Sequence, residues 1–178
     1  REEVFGVVLP YLLQLKDRGS QTLFEFTPAY LGRDPVLLSR LSEASGLHIV
    51  TNAGFYGARN DLYLPDFVHQ ESVDDLANRW VREFEEGIDG TGIRPGFFKI
   101  GVDPGPLSEV HARLVRAAAR AHARTGLTIA VHTGPAEPAF QQLAILEEEG
   151  IHPSAWIWVH AQSESDSSKH DEAAALGA

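Results

Sequence analysis

The sequence predicts an α/β fold with a parallel sheet covered by helices, and two observations carry this. Helical and extended patterns alternate along the chain, joined by connections rich in glycine and polar residues. Three of the extended segments also end on, or carry near their ends, a residue unsuited to a plain apolar core: Lys99, His132 and His160. Reactive residues of α/β folds collect at the carboxyl ends of strands.

The elements follow in order. Residues 1–18 read as a helix with apolar Val4, Val7, Val8, Leu12, Leu13 and Leu15, interrupted at Pro10 and ended by Gly19. Residues 22–27 alternate as a short strand. Arg33 and Asp34 cap and anchor a helix over 35–45, which Gly46 closes. A second strand at 48–52 leads into a long loop from Ala53 to about Glu71. Ser72 with Asp75 resembles a capping box, and Leu76, Trp80, Val81 and Phe84 follow at helical spacing. The stretch from Gly87 to Gly92 precedes a strand rather than a helix, so it reads as a flexible connector and not a phosphate loop.

Phe97 to Val102 reads as a strand, Ser108 to Arg124 as an Ala- and Arg-rich helix closed by Gly126, and 127–132 as a strand. A helix over 136–149 ends at Gly150, with Glu147, Glu148 and Glu149 on an exposed face. Residues 155–160 form another strand and 166–176 a last helix. Two architectures fit this alternation, a closed (β/α)8 barrel and an open doubly wound sheet. No internal repeat or low-complexity linker divides the chain, so residues 1–178 are expected to form a single domain.

Composition narrows the function classes. The chain has 178 residues and a formal net charge of −10, and its lysines and arginines are scattered, which excludes a basic nucleic-acid surface. No apolar run approaches the ~20 residues that span a bilayer. With no cysteine there is no thiolate metal site and no thiol nucleophile, so any metal must be held by histidine, carboxylate or something less usual. The chain also contains no methionine, not even at its start, which suggests a segment of a longer protein.

On residues 127–132, Thr128, Ala130 and His132 share the small face, which suits a crowded barrel interior. On 155–160, Trp156 and Trp158 share the face of His160, which is bulky for such an interior. Lys99 lies among Phe97, Phe98, Ile100 and Val102, where an ammonium is expensive, so it must either pair with a carboxylate or become neutral. A neutral lysine can attack CO2 and become a carbamate, an anionic oxygen ligand. His48, His69, His111, His122, His152 and His170 fall in loops, on helices or at a strand start and read as solvated.

The stretch GFFKIGVD followed by GPLSEVHARLVRAAARAHARTGLTIAVHTG resembles the phosphotriesterase-related branch of the amidohydrolase superfamily. So do Leu31 to Asp34, Gly54-Phe55-Tyr56, Gly87 to Gly92 and ILEEEGIHPSAWIWVHAQ. The resemblance implies a (β/α)8 TIM barrel, of which this chain covers approximately strands two to six. It implies a binuclear centre of two divalent metal ions, commonly zinc. Lys99 matches the carbamylated bridging lysine, and His132 and His160 match the ligands of the more exposed metal. Tyr56 falls where lactonase-like members carry a tyrosine near the substrate.

The implied reaction is attack by a metal-activated hydroxide on a lactone, carboxylic ester or phosphoester. The family's strand-one His-x-His pair and strand-eight Asp are absent and are expected to lie outside this chain. Glu25 stands where many members have Asp, in the lining below the metals. Two other readings stay open, a mononuclear amidohydrolase or deacetylase and an inactive barrel serving as a binding module. The expected partner is a small-molecule substrate, with no nucleic acid and no membrane. The expected compartment is the cytoplasm, and a homodimer is left open.

Overall fold

The computed structural model describes residues 1–178, and every strand pairing in it is parallel. Helix α1 spans Glu2–Asp17 and runs straight through Pro10, contrary to the expected interruption. Pro10 is exposed and the residue four positions earlier is Gly6, which has open space where a Cβ would sit. Pro10 has no amide to donate, so the helix gives up one hydrogen bond there and continues. Only Leu12 of α1 is buried, packed with Leu41 and Leu47 in a small cluster of its own.

Strand β1 (Thr22–Phe24) pairs with β2 (His48–Val50), and α2 (Pro35–Ser45) connects them. Asp34 caps α2 by accepting from the Leu37 amide at 3.1 Å, and Gly46 closes it in the left-handed conformation. Arg33 acts elsewhere: its guanidinium, almost wholly buried, reaches the Asn52 carbonyl and grips Glu83 through both carboxylate oxygens. The segment 48–53 changes partner at Thr51. Its second half, β3 (Asn52–Ala53), pairs with β4 (Phe97–Gly101) instead of β1.

The loop after β3 holds an unexpected short helix α3 (Asp66–Gln70), followed by α4 (Val73–Glu86). The Ser72–Asp75 capping box forms in both directions, at 3.1 and 3.2 Å. Beyond α4 the connector Gly87–Gly92 contains a 3-10 turn, closed by the Ile88 amide on the Ile93 carbonyl, with Ile88 buried. Then come α5 (Glu109–Thr125), β5 (Ile129–His132), α6 (Ala136–Glu148), β6 (Trp156–Val159) and α7 (Ser167–Leu176).

The strand order β3-β4-β5-β6 follows the chain without reversal. A doubly wound sheet would reverse at a switch point, so the order is that of a barrel wall. Register sorts the two faces. Phe98, Ile100, Ile129 and Val131 share one face, are fully buried, and join Leu114, Leu146 and Trp80 in the main core under the helices. Phe97, Lys99, Gly101, Ala130 and His132 point to the other face, the inside of the arc.

Trp156 and Trp158 lie opposite Ile129 and Val131 and so face the helices, not the interior. Trp156 donates to Gln142 of α6 at 3.0 Å, and Trp158 donates to the Gly134 carbonyl at 2.9 Å. The expected bulk inside the barrel is absent because these indoles pack outward. Across the outer surface, Arg116 and Arg120 of α5 bind Glu149, and Arg120 also binds Asp74 of α4. Glu149 is therefore tied into an ion network rather than left on a free face.

Candidate metal centre

The inner face of β4 places Lys99 beneath the strand ends, with 4% of its surface exposed. No carboxylate pairs with it. Its Nζ donates to the Ile100 carbonyl at 2.7 Å and lies 5.3 Å from the centre of the Tyr56 ring. Burial without a counter-charge lowers its pKa from 10.5 to about 7. A substantial fraction is therefore the free amine at neutral pH.

His132 ends β5 directly beside Gly101. Burial, then repulsion from Lys99 and His160, pushes its pKa down to about 4, with Asp103 opposing. Its imidazole is thus neutral at pH 7 and keeps a ring-nitrogen lone pair. His160 follows β6 and takes the left-handed conformation, φ 70° and ψ 26°. Simple alternation would send His160 outward with Trp158. The left-handed turn breaks the alternation, and the ring instead meets His132 edge to face with centroids 4.5 Å apart.

Tyr56 completes the group. Its backbone bridges to Gly101, and its ring stands 5.2 Å from that of His132. A Cβ at Gly101 would lie 2.6 Å from the Tyr56 ring, so the ring occupies the space that glycine leaves open. Gly54 makes a similar approach, where an added Cβ would sit 2.1 Å from the Lys99 carbonyl oxygen. Burial first, then the charge of Asp103, raises the Tyr56 pKa, so the phenol stays protonated at neutral pH.

Lys99, His132, His160 and Tyr56 are thus brought together at adjoining strand ends. No group of three or more His, Asp or Glu side chains capable of holding a metal occurs in the chain. Two neighbouring imidazoles beside a buried, unpaired amine do fit a metal pair, provided the amine carries a carbamate that supplies oxygen donors. Glu25 turns back on its own chain, accepting from the Thr27 amide at 2.9 Å, and no hydrogen bond links it to Lys99, His132 or His160.

His111 is not in solvent, contrary to what its helical position suggests. His111 is 4% exposed on α5, where its Nε2 lies 3.0 Å from the Gly57 carbonyl and 3.1 Å from Asp61 Oδ1. His122 and His170 are half-buried and hydrogen-bonded to backbone carbonyls. Helical position alone concealed His111, because its partners come from a loop some fifty residues earlier in the chain.

Sequential parallel strands with polar side chains gathered at their ends define a TIM-barrel wall with a candidate site at its rim. A model of the phosphotriesterase family matches residues 1–178, and the chain belongs to that family. The crystal structure of the Escherichia coli phosphotriesterase homology protein, complexed with phosphate in its active site, superposes with a TM-score of 0.91 at 28% identity. That match covers 98% of this chain and 59% of the other.

In sequence, the chain is 31% identical to the Escherichia coli (strain K12) phosphotriesterase homology protein, over 85% of this chain and 51% of that protein. It is 34% identical to the human N-acetyltaurine hydrolase, over 84% and 42%. It is 31% identical to the aryldialkylphosphatase of Saccharolobus solfataricus, over 80% and 45%. The chain spans about half the length of the curated relatives it matches. No helix is long and apolar enough to cross a membrane.

Proposed function

We propose that the protein is a metal-dependent hydrolase acting on a lactone, carboxylic ester or phosphoester, with Lys99, His132 and His160 as ligands of a two-metal centre. The observation that carries this reading is Lys99: a buried amine with no carboxylate partner and a pKa near 7. Such an amine attacks the carbon of CO2, loses a proton and becomes an anionic carbamate. When bound, two divalent cations, zinc the first candidate, would lower the pKa of a shared water and polarise the scissile carbonyl or phosphoryl oxygen.

The chain's own residues supply the rest. His132 presents a neutral ring nitrogen, because its protonation is suppressed until well below pH 6. His160 is turned toward the same point by its left-handed backbone. Tyr56, held protonated, offers a hydrogen bond to a substrate oxygen while its ring covers Gly101 and limits water on that side. The likeness to a protein named aryldialkylphosphatase supports phosphoester cleavage. The likeness to the N-acetyltaurine hydrolases favours a second reading, hydrolysis of an N-acyl amide, including by a mononuclear centre.

The test is metal analysis together with a substrate panel of lactones, esters, phosphotriesters and N-acyl amides, with zinc or manganese added. We expect about two metals per chain in the intact protein and their loss in Lys99→Ala. Full metal occupancy in Lys99→Ala would remove the assigned role of Lys99.

A further inference from the structure

The strand-end site leaves unused a second cluster, formed by His111, Asp61 and Asp103. Asp103 accepts the Arg59 amide on one oxygen at 2.6 Å and the Asn60 amide on the other at 2.9 Å. Arg59, Asn60 and Asp61 are consecutive left-handed residues, with φ of 66°, 55° and 59°, and none is glycine. Asn60 and Asp61 tolerate this region but Arg59 does not favour it, and three such residues in a row need outside contacts to hold them. His111 completes the hold. Both neighbours of its Nε2 are acceptors, so this nitrogen carries the proton and donates to the Gly57 carbonyl and to Asp61.

The clamp acts next to Tyr56. The Gly57 amide donates to the Gly101 carbonyl at 3.0 Å, while its carbonyl is taken by His111, so the residue following Tyr56 is fixed at both ends. A Cβ at Gly57 would meet the Gly101 oxygen and the His111 ring, both at 2.9 Å. The left-handed turn then brings Tyr63 back against Tyr56, with ring centroids 6.2 Å apart.

We propose that Asp103 and His111 are positioning residues that hold the left-handed turn 59–61 and thereby set the Tyr56 phenol beside Lys99 and His132. This rests on the proposed reading of the strand-end site. Neither residue touches the reacting atoms. Their effect on turnover passes through Tyr56.

The experiment uses the full, metal-loaded protein and the best substrate of the panel. Asp103→Asn and His111→Leu are expected to lower kcat/KM by about 10- to 100-fold. Metal content should be unchanged and the melting temperature should move by only a few degrees. His111→Gln, which keeps an N–H donor, should restore most of the activity.

In a Tyr56→Phe background, Asp103→Asn should cost less than about twofold further, because the two changes share one path. A loss of the same size in both backgrounds would overturn the proposal. Hydrogen exchange supplies a readout independent of turnover. The Arg59 and Asn60 amides should exchange slowly in the unaltered protein and fast in Asp103→Asn, with the core unaffected. Fast exchange in the unaltered protein would also overturn the clamp, whereas failure of the metal-site reading shows separately as metal retained in Lys99→Ala.

Discussion

His160 faces His132 across 4.5 Å, although the strand register places Val159, not His160, beside His132. The left-handed backbone at His160 redirects the ring inward. Asparagine tolerates this conformation and β-branched residues do not. His160→Val is expected to lose about 1–2 kcal/mol of stability, with His160→Asn within about 0.5 of the original. Denaturant melts of the metal-free proteins check this, and equal losses in the two variants would show that the backbone is not the cause.

Lys99 makes stability depend on pH in the metal-free protein. Its folded pKa of about 7 lies below the 10.5 of an exposed lysine, so between these values the unfolded chain holds a proton that the folded one has released. Stability should therefore rise as pH increases from 7 toward 10.5, and the cost of burying the amine is fully present below pH 7. Lys99→Met should stabilise the metal-free protein at pH 7 by on the order of 2–4 kcal/mol, a gain that shrinks toward pH 10.5. Melts at three pH values test the trend, and a constant difference between the two proteins would contradict it.

Behind the histidines runs a buried polar chain. The Trp156 indole donates to Gln142, whose amide donates to the Thr133 hydroxyl, which donates to the Val131 carbonyl. Gln142 is fully buried, so Gln142→Leu would strand one donor and one acceptor. The expected cost is about 2–4 kcal/mol, read by urea unfolding. A loss below about 0.5 kcal/mol would mean that the neighbours find other partners.

Gly101→Ala should displace Tyr56, since the new methyl would sit 2.6 Å from its ring. Turnover of the panel substrate should fall by about tenfold or more while metal content holds. Unchanged kinetics would show that Tyr56 need not lie where it does.

The fold was largely readable from sequence because the helices carry local punctuation: Asp34, Ser72 and Ser108 as caps, and Gly46 and Gly126 as stops. Of the site, Lys99 and His132 were visible from strand position and alternation. The same alternation misled at Trp156 and Trp158, because one left-handed residue, His160, separates the direction of its own side chain from that of its strand. The clamp at His111 and Asp103 stayed hidden for another reason. Its members are distant in sequence, and the left-handed turn they hold contains no glycine to announce it.

Gly54, Gly57 and Gly101 each lack a carbon that would strike a neighbour. Together they clear a narrow slot in which the Tyr56 segment lies flat along the strand that carries Lys99. Under the proposed function, a change of substrate preference would come from exposed Leu62, outside the held turn 59–61. From beneath it cannot, because any larger residue there would alter the floor of the site before it altered the specificity.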